Sequence, residues 1–386
     1  MISTAKFIRA IAVTLSTVLM VVAGFAAAEE TTVSSLREEV IQLSIKTTQG
    51  PVTLETTVFK PEGPGPFPLL IMNHGKEFGE PAQQSRARFV ALSREFVKRG
   101  YAVVIPMRQG FSKSGGSFGH GGCNILDTGL LQASDIHAVL SVMRTQPWVD
   151  INHIVIGGQS FGGLAVLALG TEPLPGVKGL INFAGGIRVN DGSCDWKARL
   201  ETAVFFYGTK NHLPSLWFYG DNDRLFDIDL AKRLQQAYTG AGGKADLVNV
   251  GTFREDAHRL ASSHHSVELW WPATERFLRQ VGMPTAESVA IAPAATPAQL
   301  ASQPEFAAQL FTQAEAGYRK FLSQPFPRAF AMSASGAWGW AEDGDDPTEA
   351  ALQQCQKHAK DTCQLYAVND QVVWQAPAAQ LAMVGR

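Results

Sequence analysis

The sequence has 386 residues and a formal net charge of -2, from 33 basic and 35 acidic side chains. It lacks the excess of Lys and Arg that draws a protein onto phosphate backbones, so we do not expect nucleic acid as a partner. Hydrophobic residues make up 45% of the chain, which excludes a largely disordered protein. The length predicts one large domain, or a large domain and a small one.

Residues 1–28 have the pattern of a secretory signal peptide. Lys6 and Arg9 precede an apolar run over residues 10–25, and three alanines at 26–28 supply the small residues of a cleavage site. The alternative is an uncleaved anchor, but the run is shorter than the roughly 20 apolar residues that a membrane span needs. No later stretch is apolar enough to span a bilayer. We therefore expect a secreted or periplasmic bacterial protein.

The four cysteines suit an oxidising compartment. They are Cys123, Cys194, Cys355 and Cys363, and their spacing does not resemble a zinc site. Cys355 and Cys363 lie in one local segment, so we expect them to pair and leave Cys123 for Cys194. Buried free thiols are the alternative.

Residues 29–283 are predicted to form the catalytic domain, in which short apolar runs alternate with amphipathic helical patterns. A hairpin around Gly50 and Pro51 opens it, with strands at 39–46 and 52–59. Further strands are predicted at 69–72, 101–105, 153–156, 177–183, 216–219 and 245–250, and helices at 87–99, 131–143, 164–169, 230–238 and 269–281. Most of these strands are apolar on both faces, so helices should cover both sides. The prediction is an α/β fold with a doubly wound, mostly parallel sheet.

The composition changes after Gly282. Residues 284–304 are rich in Ala and Pro and predict a solvated linker. Residues 305–386 predict a small α+β module, with helices at 305–322 and 350–360, a Gly/Trp-rich turn between them and a strand at 365–368. Its function is open, and binding of the cell wall or another partner is one hypothesis.

The pentapeptide G-x-S-x-G occurs twice, around Ser117 and around Ser160. Ser160 follows an apolar strand and opens a helical run, whereas Ser117 lies in a Gly-rich loop. A nucleophilic serine needs the strand, sharp turn and helix order, because the turn exposes the side chain beside a helix N-terminus. The context therefore favours Ser160.

The segments 156–163, 73–75 and 101–110 together resemble the α/β-hydrolase superfamily. They are IGGQSFGG, NHG and YAVVIPMRQG, and they are most similar to its dienelactone-hydrolase-like and prolyl-oligopeptidase-like branch. The resemblance covers roughly residues 38–282. Gln109 departs from the R-G-x-G-x-S pattern common in this family, which leaves the shape of that loop open.

This resemblance implies catalytic residues in the chain order Ser, Asp, His. The family's usual G-x-x-D spacing after the strand at 216–219 selects Asp223 as the acid, with Asp221 as the near rival. His258 is preferred as the base over the pair His264 and His265, because it follows the last predicted strand.

Two backbone N–H groups should form the oxyanion hole, those of Phe161 and Lys76.

The sequence thus predicts a secreted serine hydrolase that cleaves carboxylic esters through an acyl-enzyme on Ser160. The alternatives are a peptidase of the same fold acting on short peptides and a non-catalytic binding protein on a hydrolase scaffold. Esters rank first because the chain has no propeller-length insertion that would hold a peptide terminus. The expected partner is a small ester or a short peptide, and no metal or organic cofactor is implied.

Overall fold

A computed structural model describes residues 32–48, 50–190, 192–291, 308–344 and 346–374. The predicted signal peptide at 1–28 and most of the predicted linker lie outside these residues. Among the described helices, none combines the length and apolarity that crossing a bilayer requires.

Eight strands form the large sheet of the catalytic domain. They are β1 (Glu39–Thr47), β2 (Gly50–Phe59), β3 (Phe67–Asn73), β4 (Ala102–Pro106), β5 (Val149–Gln159), β6 (Val177–Phe183), β7 (Pro214–Tyr219) and β8 (Lys244–Asn249). Their order in space is β1-β2-β4-β3-β5-β6-β7-β8. The strands from β4 to β8 in this order pair in parallel, and β2 pairs antiparallel with both β1 and β4. The predicted edge hairpin and mostly parallel α/β sheet are confirmed.

Five described helices lie between these strands, and a sixth follows β8. They are α1 (Val90–Val97), α2 (Ile125–Met143), α3 (Phe161–Leu169), α4 (Trp196–Lys210), α5 (Ile228–Gly240) and α6 (Val267–Gln280). Helices cover both sides of the central strands, so side chains on both faces are apolar and buried: the adjacent residues Leu69 and Leu70, and Ile154 and Val155, are at most 1% exposed. Helix α3 is also buried along its whole length, which fixes the position of the turn before it.

Several helix starts differ from the prediction, and for α1 and α2 the local cause is visible. Helix α1 begins at Val90 rather than at residue 87, because Phe89 has a left-handed backbone with φ 44° and cannot continue a helix backwards. Helix α2 begins at Ile125 rather than at residue 131. Asn124 caps it by accepting a hydrogen bond from the Asp127 N–H, at 3.3 Å.

The C-terminal module is a four-stranded antiparallel sheet with two helices. Its elements are α7 (Ala308–Leu322), β9 (Arg328–Ser333), β10 (Trp338–Glu342), α8 (Thr348–Gln356), β11 (Cys363–Val368) and β12 (Gln371–Val372). The strand order is β10-β9-β11-β12. The predicted Gly/Trp-rich turn is wrong in part, because Trp338–Glu342 is a strand paired with β9. The described residues of both parts form one compact unit.

Both predicted disulfides are present. Cys123 and Cys194 join the loop before α2 to the segment before α4, with a Cα–Cα distance of 5.7 Å. Cys355 and Cys363 join the end of α8 to the start of β11. The second bond lies in a module whose small core gains from such a crosslink.

The start of the predicted linker packs on the catalytic domain. The backbone N–H groups of Ser288 and Val289 both donate to the Lys98 carbonyl at 2.9 Å, and the Tyr101 hydroxyl donates to the Pro284 carbonyl at 2.7 Å. The backbone of residues 284–291 thus contacts the short segment between α1 and β4, while most of these residues are exposed.

A buried ion cluster anchors the segment before β1. The Glu38 carboxylate accepts hydrogen bonds from Arg88, at 2.5 and 2.7 Å, and from Arg86 at 3.0 Å, and the three side chains are at most 5% exposed. Burial alone would raise the pKa of Glu38, but the two guanidinium groups outweigh it and hold that pKa below its ordinary value. A depressed carboxyl pKa adds stability above the unfolded-state value, and this stability is lost as the pH falls through the folded value.

Replacing Glu38 with glutamine is expected to lower the free energy of unfolding by about 3–5 kcal/mol at pH 7, because it leaves buried guanidinium charge without its carboxylate. Urea denaturation of both proteins measures the difference. The matched control is Glu39→Gln, whose carboxylate pairs with Lys60 and is 48% exposed, so a change of at most about 1 kcal/mol is expected. Equal stability losses in the two variants would contradict the role of the cluster.

Candidate active site

Ser160 lies on a sharp turn between β5 and α3. Its backbone has φ 54° and ψ -120°, a conformation that costs a non-glycine residue about 1–3 kcal/mol. Neighbouring strands hold it there: the Ser160 N–H donates to the Phe183 carbonyl at 2.8 Å, and the Gly186 N–H donates to the Ser160 carbonyl at 3.0 Å. The strand, turn and helix order predicted around Ser160 is present.

The glycines that flank Ser160 are required by close backbone contacts. A Cβ atom on Gly158 would lie 2.3 Å from the Gly162 carbonyl oxygen, and one on Gly162 would lie 2.2 Å from the Asn73 carbonyl oxygen. Neither contact can be relieved by moving a side chain, since both obstacles are backbone atoms. The turn therefore depends on both glycines of the pentapeptide.

Asp223 and His258 are hydrogen-bonded to each other. His258 Nδ1 lies 2.9 Å from Asp223 Oδ2, and the carboxylate has no exposed surface while the imidazole is 11% exposed. The other carboxylate oxygen, Oδ1, accepts from the N–H groups of Leu225 and Phe226 at 2.8 and 2.9 Å. Backbone donors thus hold the Asp223 carboxylate in place, and the carboxylate in turn orients the imidazole through its bond to Nδ1.

Gln159 connects the serine turn to the histidine segment. Its side-chain amide donates to the His258 carbonyl at 3.0 Å, across 99 residues of sequence. The Phe226 ring packs against the imidazole with 5.5 Å between ring centroids. The residue directly before the nucleophile candidate therefore contacts the backbone of the base candidate. The sequence alone does not predict this role of Gln159, because the G-x-S-x-G motif accepts any residue at that position.

The loop after β3 lies directly against the serine turn. A Cβ atom on Gly75 would lie 3.0 Å from Ser160 Cβ and 2.5 Å from Gln159 Oε1. The next residue is Lys76, whose ammonium group donates to the carbonyls of Glu77 and Gly79. Phe161 is the first residue of α3, so its N–H has no acceptor within the helix. Both predicted donors are thus on segments that border Ser160.

His74 is a buried part of this loop and holds its shape. The Arg108 N–H donates to His74 Nε2 at 3.0 Å, so Nδ1 carries the proton and donates to the Gly75 carbonyl at 2.6 Å. The Arg108 guanidinium also donates to the His74 carbonyl at 2.8 Å. Burial and the nearby guanidinium lower the pKa of His74 well below its ordinary value, so the ring stays neutral.

Gln109 anchors the loop that follows β4. Its backbone N–H donates to Asp135 Oδ2 at 2.9 Å, and its side-chain amide donates to Asp135 Oδ1 at 2.5 Å. The departure from the family's glycine is accommodated because Gly116 lies against the Gln109 side chain. The loop is therefore held by a pair of bonds to α2, which the pattern alone did not predict.

The rival candidates lie elsewhere. Ser117 is exposed in the loop between β4 and α2, with no strand before it and no helix after it. Asp221 is exposed and accepts from the Asn249 side chain at 2.8 Å. His264 and His265 form a short 3-10 turn before α6 and face carboxylates of the C-terminal module. The structure brings together only Asp223 and His258 from the competing acids and bases.

The family model of the X-Pro dipeptidyl-peptidase family (S15) matches residues 49–244, slightly more than half of the chain. The chain belongs to this family. The matched segment includes Ser160 and Asp223 and ends before His258. This S15 protein is accordingly a serine hydrolase of the α/β-hydrolase fold, as its resemblance to that superfamily predicts. Comparison with curated protein sequences gives no match.

Solved structures with a similar fold include esterases and peptidases. A protein assigned as a dienelactone hydrolase from Klebsiella pneumoniae is 18% identical with a TM-score of 0.45, over 63% of this chain and 99% of its own. An esterase from Pyrococcus furiosus is 16% identical with a TM-score of 0.47, over 66% and 96%. An acylaminoacyl peptidase from Pyrococcus horikoshii is 16% identical with a TM-score of 0.48, over 66% and 43%.

Proposed function

We propose that this S15 protein hydrolyses short peptides through an acyl-enzyme on Ser160, with His258 as general base and Asp223 as the acid that orients it. The observation that carries the proposal is the 2.9 Å bond between His258 and a fully buried Asp223, joined through Gln159 to the strained turn of Ser160. A serine in this conformation beside a helix N-terminus is the arrangement that acyl transfer requires.

The proposed reaction proceeds in two halves. His258 accepts the Ser160 hydroxyl proton as the oxygen attacks the substrate carbonyl, and the same imidazole then protonates the leaving amine. The buried Asp223 charge stabilises the imidazolium and keeps the proton of the neutral ring on Nδ1. Water repeats the sequence on the acyl-enzyme and releases the acid.

The N–H groups of Phe161 and Lys76 would stabilise the oxyanion. The loss of one such donor typically costs about 10²–10³-fold in turnover.

Family membership favours peptides over the esters that the sequence ranked first. X-Pro dipeptidyl peptidase is the activity for which the family is named, and the amide of a short peptide is therefore the proposed substrate. Carboxylic esters are the second candidate, because the segment between β6 and β7 contains only α4 among its described elements and no added domain that would hold a peptide terminus. An ester would form the same acyl-enzyme with a better leaving group.

We place this activity outside the cytoplasm. The signal-like pattern at residues 1–28 supports this location, and so do the two disulfides, which persist in oxidising compartments. Detection of mature protein in the periplasmic or extracellular fraction, with an N-terminus after Ala28, is the corresponding check.

The substrate class is tested by comparing three chromogenic substrates with the full chain. They are Gly-Pro-p-nitroanilide, Gly-Gly-p-nitroanilide and p-nitrophenyl butyrate. We expect kcat/KM for the proline anilide to exceed that for the glycine anilide by about 10–200-fold, the range that one apolar pocket provides. Cleavage of the ester together with inertness of both anilides would establish the esterase instead. If all three are inert and a fluorophosphonate does not label Ser160, the protein is not a serine hydrolase of any of these substrates.

A further inference from the structure

A second cluster of chemically reactive side chains lies between the catalytic domain and the C-terminal module. It consists of two histidines from the turn before α6 and two carboxylates from the end of β10, and we call it the His/carboxylate cluster: His264, His265, Glu342 and Asp343. One ligand atom from each residue lies within 4.8 Å of all the others. The predicted active site uses none of these residues.

The distances within the cluster match those of metal ligands. His264 Nδ1 lies 3.0 Å from Asp343 Oδ1 and 3.4 Å from Glu342 Oε2. His265 Nε2 lies 3.1 Å from Glu342 Oε1. Four ligands around a zinc ion at about 2.0–2.2 Å are separated from each other by about 3.3–3.6 Å in a tetrahedron. These three distances are near that range, with a different Glu342 oxygen facing each histidine, and one ligand atom from each of the four residues lies within 4.8 Å of the others.

The donor and acceptor atoms of the cluster face one another at short range. His264 Nδ1 and Glu342 Oε2 are both buried and lie 3.4 Å apart, and His264 Nδ1 also lies 3.0 Å from Asp343 Oδ1. Asp343 is better supplied: Oδ1 accepts from the His264 N–H at 2.8 Å, and Oδ2 accepts from the Ser263 hydroxyl at 2.6 Å. Arg254 is a more distant ion-pair partner of Asp343 at 3.8 Å. Two imidazole rings and two carboxylates that converge in this way offer the mixed nitrogen and oxygen ligands that a divalent cation binds.

The cluster combines two carboxylates with two imidazole rings whose centroids lie 3.8 Å apart. A single divalent ion neutralises both carboxylates and uses the lone pairs of neutral imidazoles. Two nitrogen and two oxygen ligands suit Zn²⁺, whereas Ca²⁺ and Mg²⁺ prefer oxygen alone.

We propose that the His/carboxylate cluster binds one Zn²⁺ ion, which fastens the C-terminal module to the segment that carries His258. This segment covers residues 250–266 between β8 and α6, and we call it the base segment. The ion joins its last residues to the end of β10. It therefore limits the motion of the base segment at its C-terminal end, and it acts as a structural crosslink outside the proposed active site. No zinc spacing appears in the sequence because the ligands come from two distant pairs of adjacent residues.

Metal binding is tested on the full chain after dialysis against a chelator. Titration with Zn²⁺ should show one high-affinity site by calorimetry, with a rise in Tm that saturates at one equivalent. Co²⁺ at the same site should give the intense visible bands of a tetrahedral nitrogen and oxygen environment. His265→Ala should weaken Kd for Zn²⁺ by at least about 100-fold, the upper end of what the loss of an outer-shell partner costs.

The matched control is His153→Ala, which removes a histidine paired with the single carboxylate of Asp150 at 2.7 Å. This variant should bind Zn²⁺ as the natural protein does. Glu342→Gln is the second test variant, since it retains the shape of the side chain and His265 is itself 35% exposed, so neither change should prevent folding. Equal Zn²⁺ affinity in the natural protein, His265→Ala and Glu342→Gln would overturn the proposal, as would the absence of stoichiometric binding in the natural protein.

Discussion

Ser160→Ala is expected to lower kcat/KM by about 10⁴–10⁶-fold for whichever substrate the natural protein cleaves. In the proposed mechanism the methyl group leaves His258 with no nucleophile to activate, while the proposed oxyanion donors, the N–H groups of Phe161 and Lys76, remain for residual catalysis. The strained backbone at position 160 is held by bonds to β6 and to residue 186, which alanine retains. Initial rates of the purified variants measure the change, and circular dichroism should show an unchanged fold.

Ser117→Ala is the matched control, because it alters the serine of the other pentapeptide in an exposed loop. It should retain the activity of the natural protein within about twofold, as surface changes away from a site usually do. Mass mapping of the peptide labelled by a fluorophosphonate should locate the label on Ser160. Similar activity in both variants would remove the basis of the catalytic proposal.

Asp223→Asn is expected to lower kcat by about 10⁴-fold while the protein stays folded. The amide oxygen can still accept from Leu225 and Phe226, so the turn after β7 keeps its bonds. The amide lacks the charge that stabilises the imidazolium, and its N–H₂ group favours the tautomer in which Nδ1 is unprotonated. Steady-state kinetics of the purified variant measure the change, and circular dichroism should show an unchanged fold.

Asp221→Asn provides the comparison at the rival acid. Its carboxylate accepts from Asn249 at the surface and does not contact His258, so kcat should remain near that of the natural protein. A large loss of kcat in Asp221→Asn with little change in Asp223→Asn would assign the acid to position 221. Each variant removes one negative charge, and the two sites are two residues apart in the same turn, so they are well matched.

The strands of the catalytic domain could be predicted because burial on both faces leaves continuous apolar runs. Segments such as Leu69–Met72 and Val177–Phe183 read as strands from composition alone, and their order along the chain predicts the crossovers. The helix ends were harder. The start of α1 is set by the left-handed Phe89, and the start of α2 is set by the Asn124 cap. Both depend on the local backbone conformation, which the 3.6-residue periodicity of apolar residues does not predict.

Helix α4 and strand β9 were not predicted from the sequence, because tertiary contacts determine their burial and pairing. In helix α4, Phe205 and Phe206 are exposed beside the fully buried Tyr207. Aromatic residues therefore occur on both the exposed and the buried side, and the sequence shows no clear amphipathic pattern. Strand β9 is buried at all six positions with alanines at two of them, and it gains its identity only from pairing with β10 and β11. In the small module, the partner strands decide the conformation more than the local sequence does.

The candidate site likewise contains residues that the sequence predicts and contacts that it does not. Ser160 can be predicted from the sequence because its turn requires glycines at 158 and 162, which form the G-x-S-x-G motif. The preference for Asp223 and His258 came from chain order and family spacing, and their 2.9 Å contact exists only in three dimensions. The bond from Gln159 to the His258 carbonyl and the neutral role of His74 could not be predicted, since each depends on partners more than 30 residues away.

The contacts of Asp343 bear on how this protein can be dissected. A gene shortened after residue 291 would seem to encode a complete hydrolase, because Ser160, Asp223 and His258 all precede that point. The shortened product would lack the carboxylate that receives the Ser263 hydroxyl and the His264 amide. The loop ahead of α6 would then lose the hydrogen bonds that Asp343 accepts from it. Expression trials should therefore retain the chain through Trp374, with any tag placed beyond it.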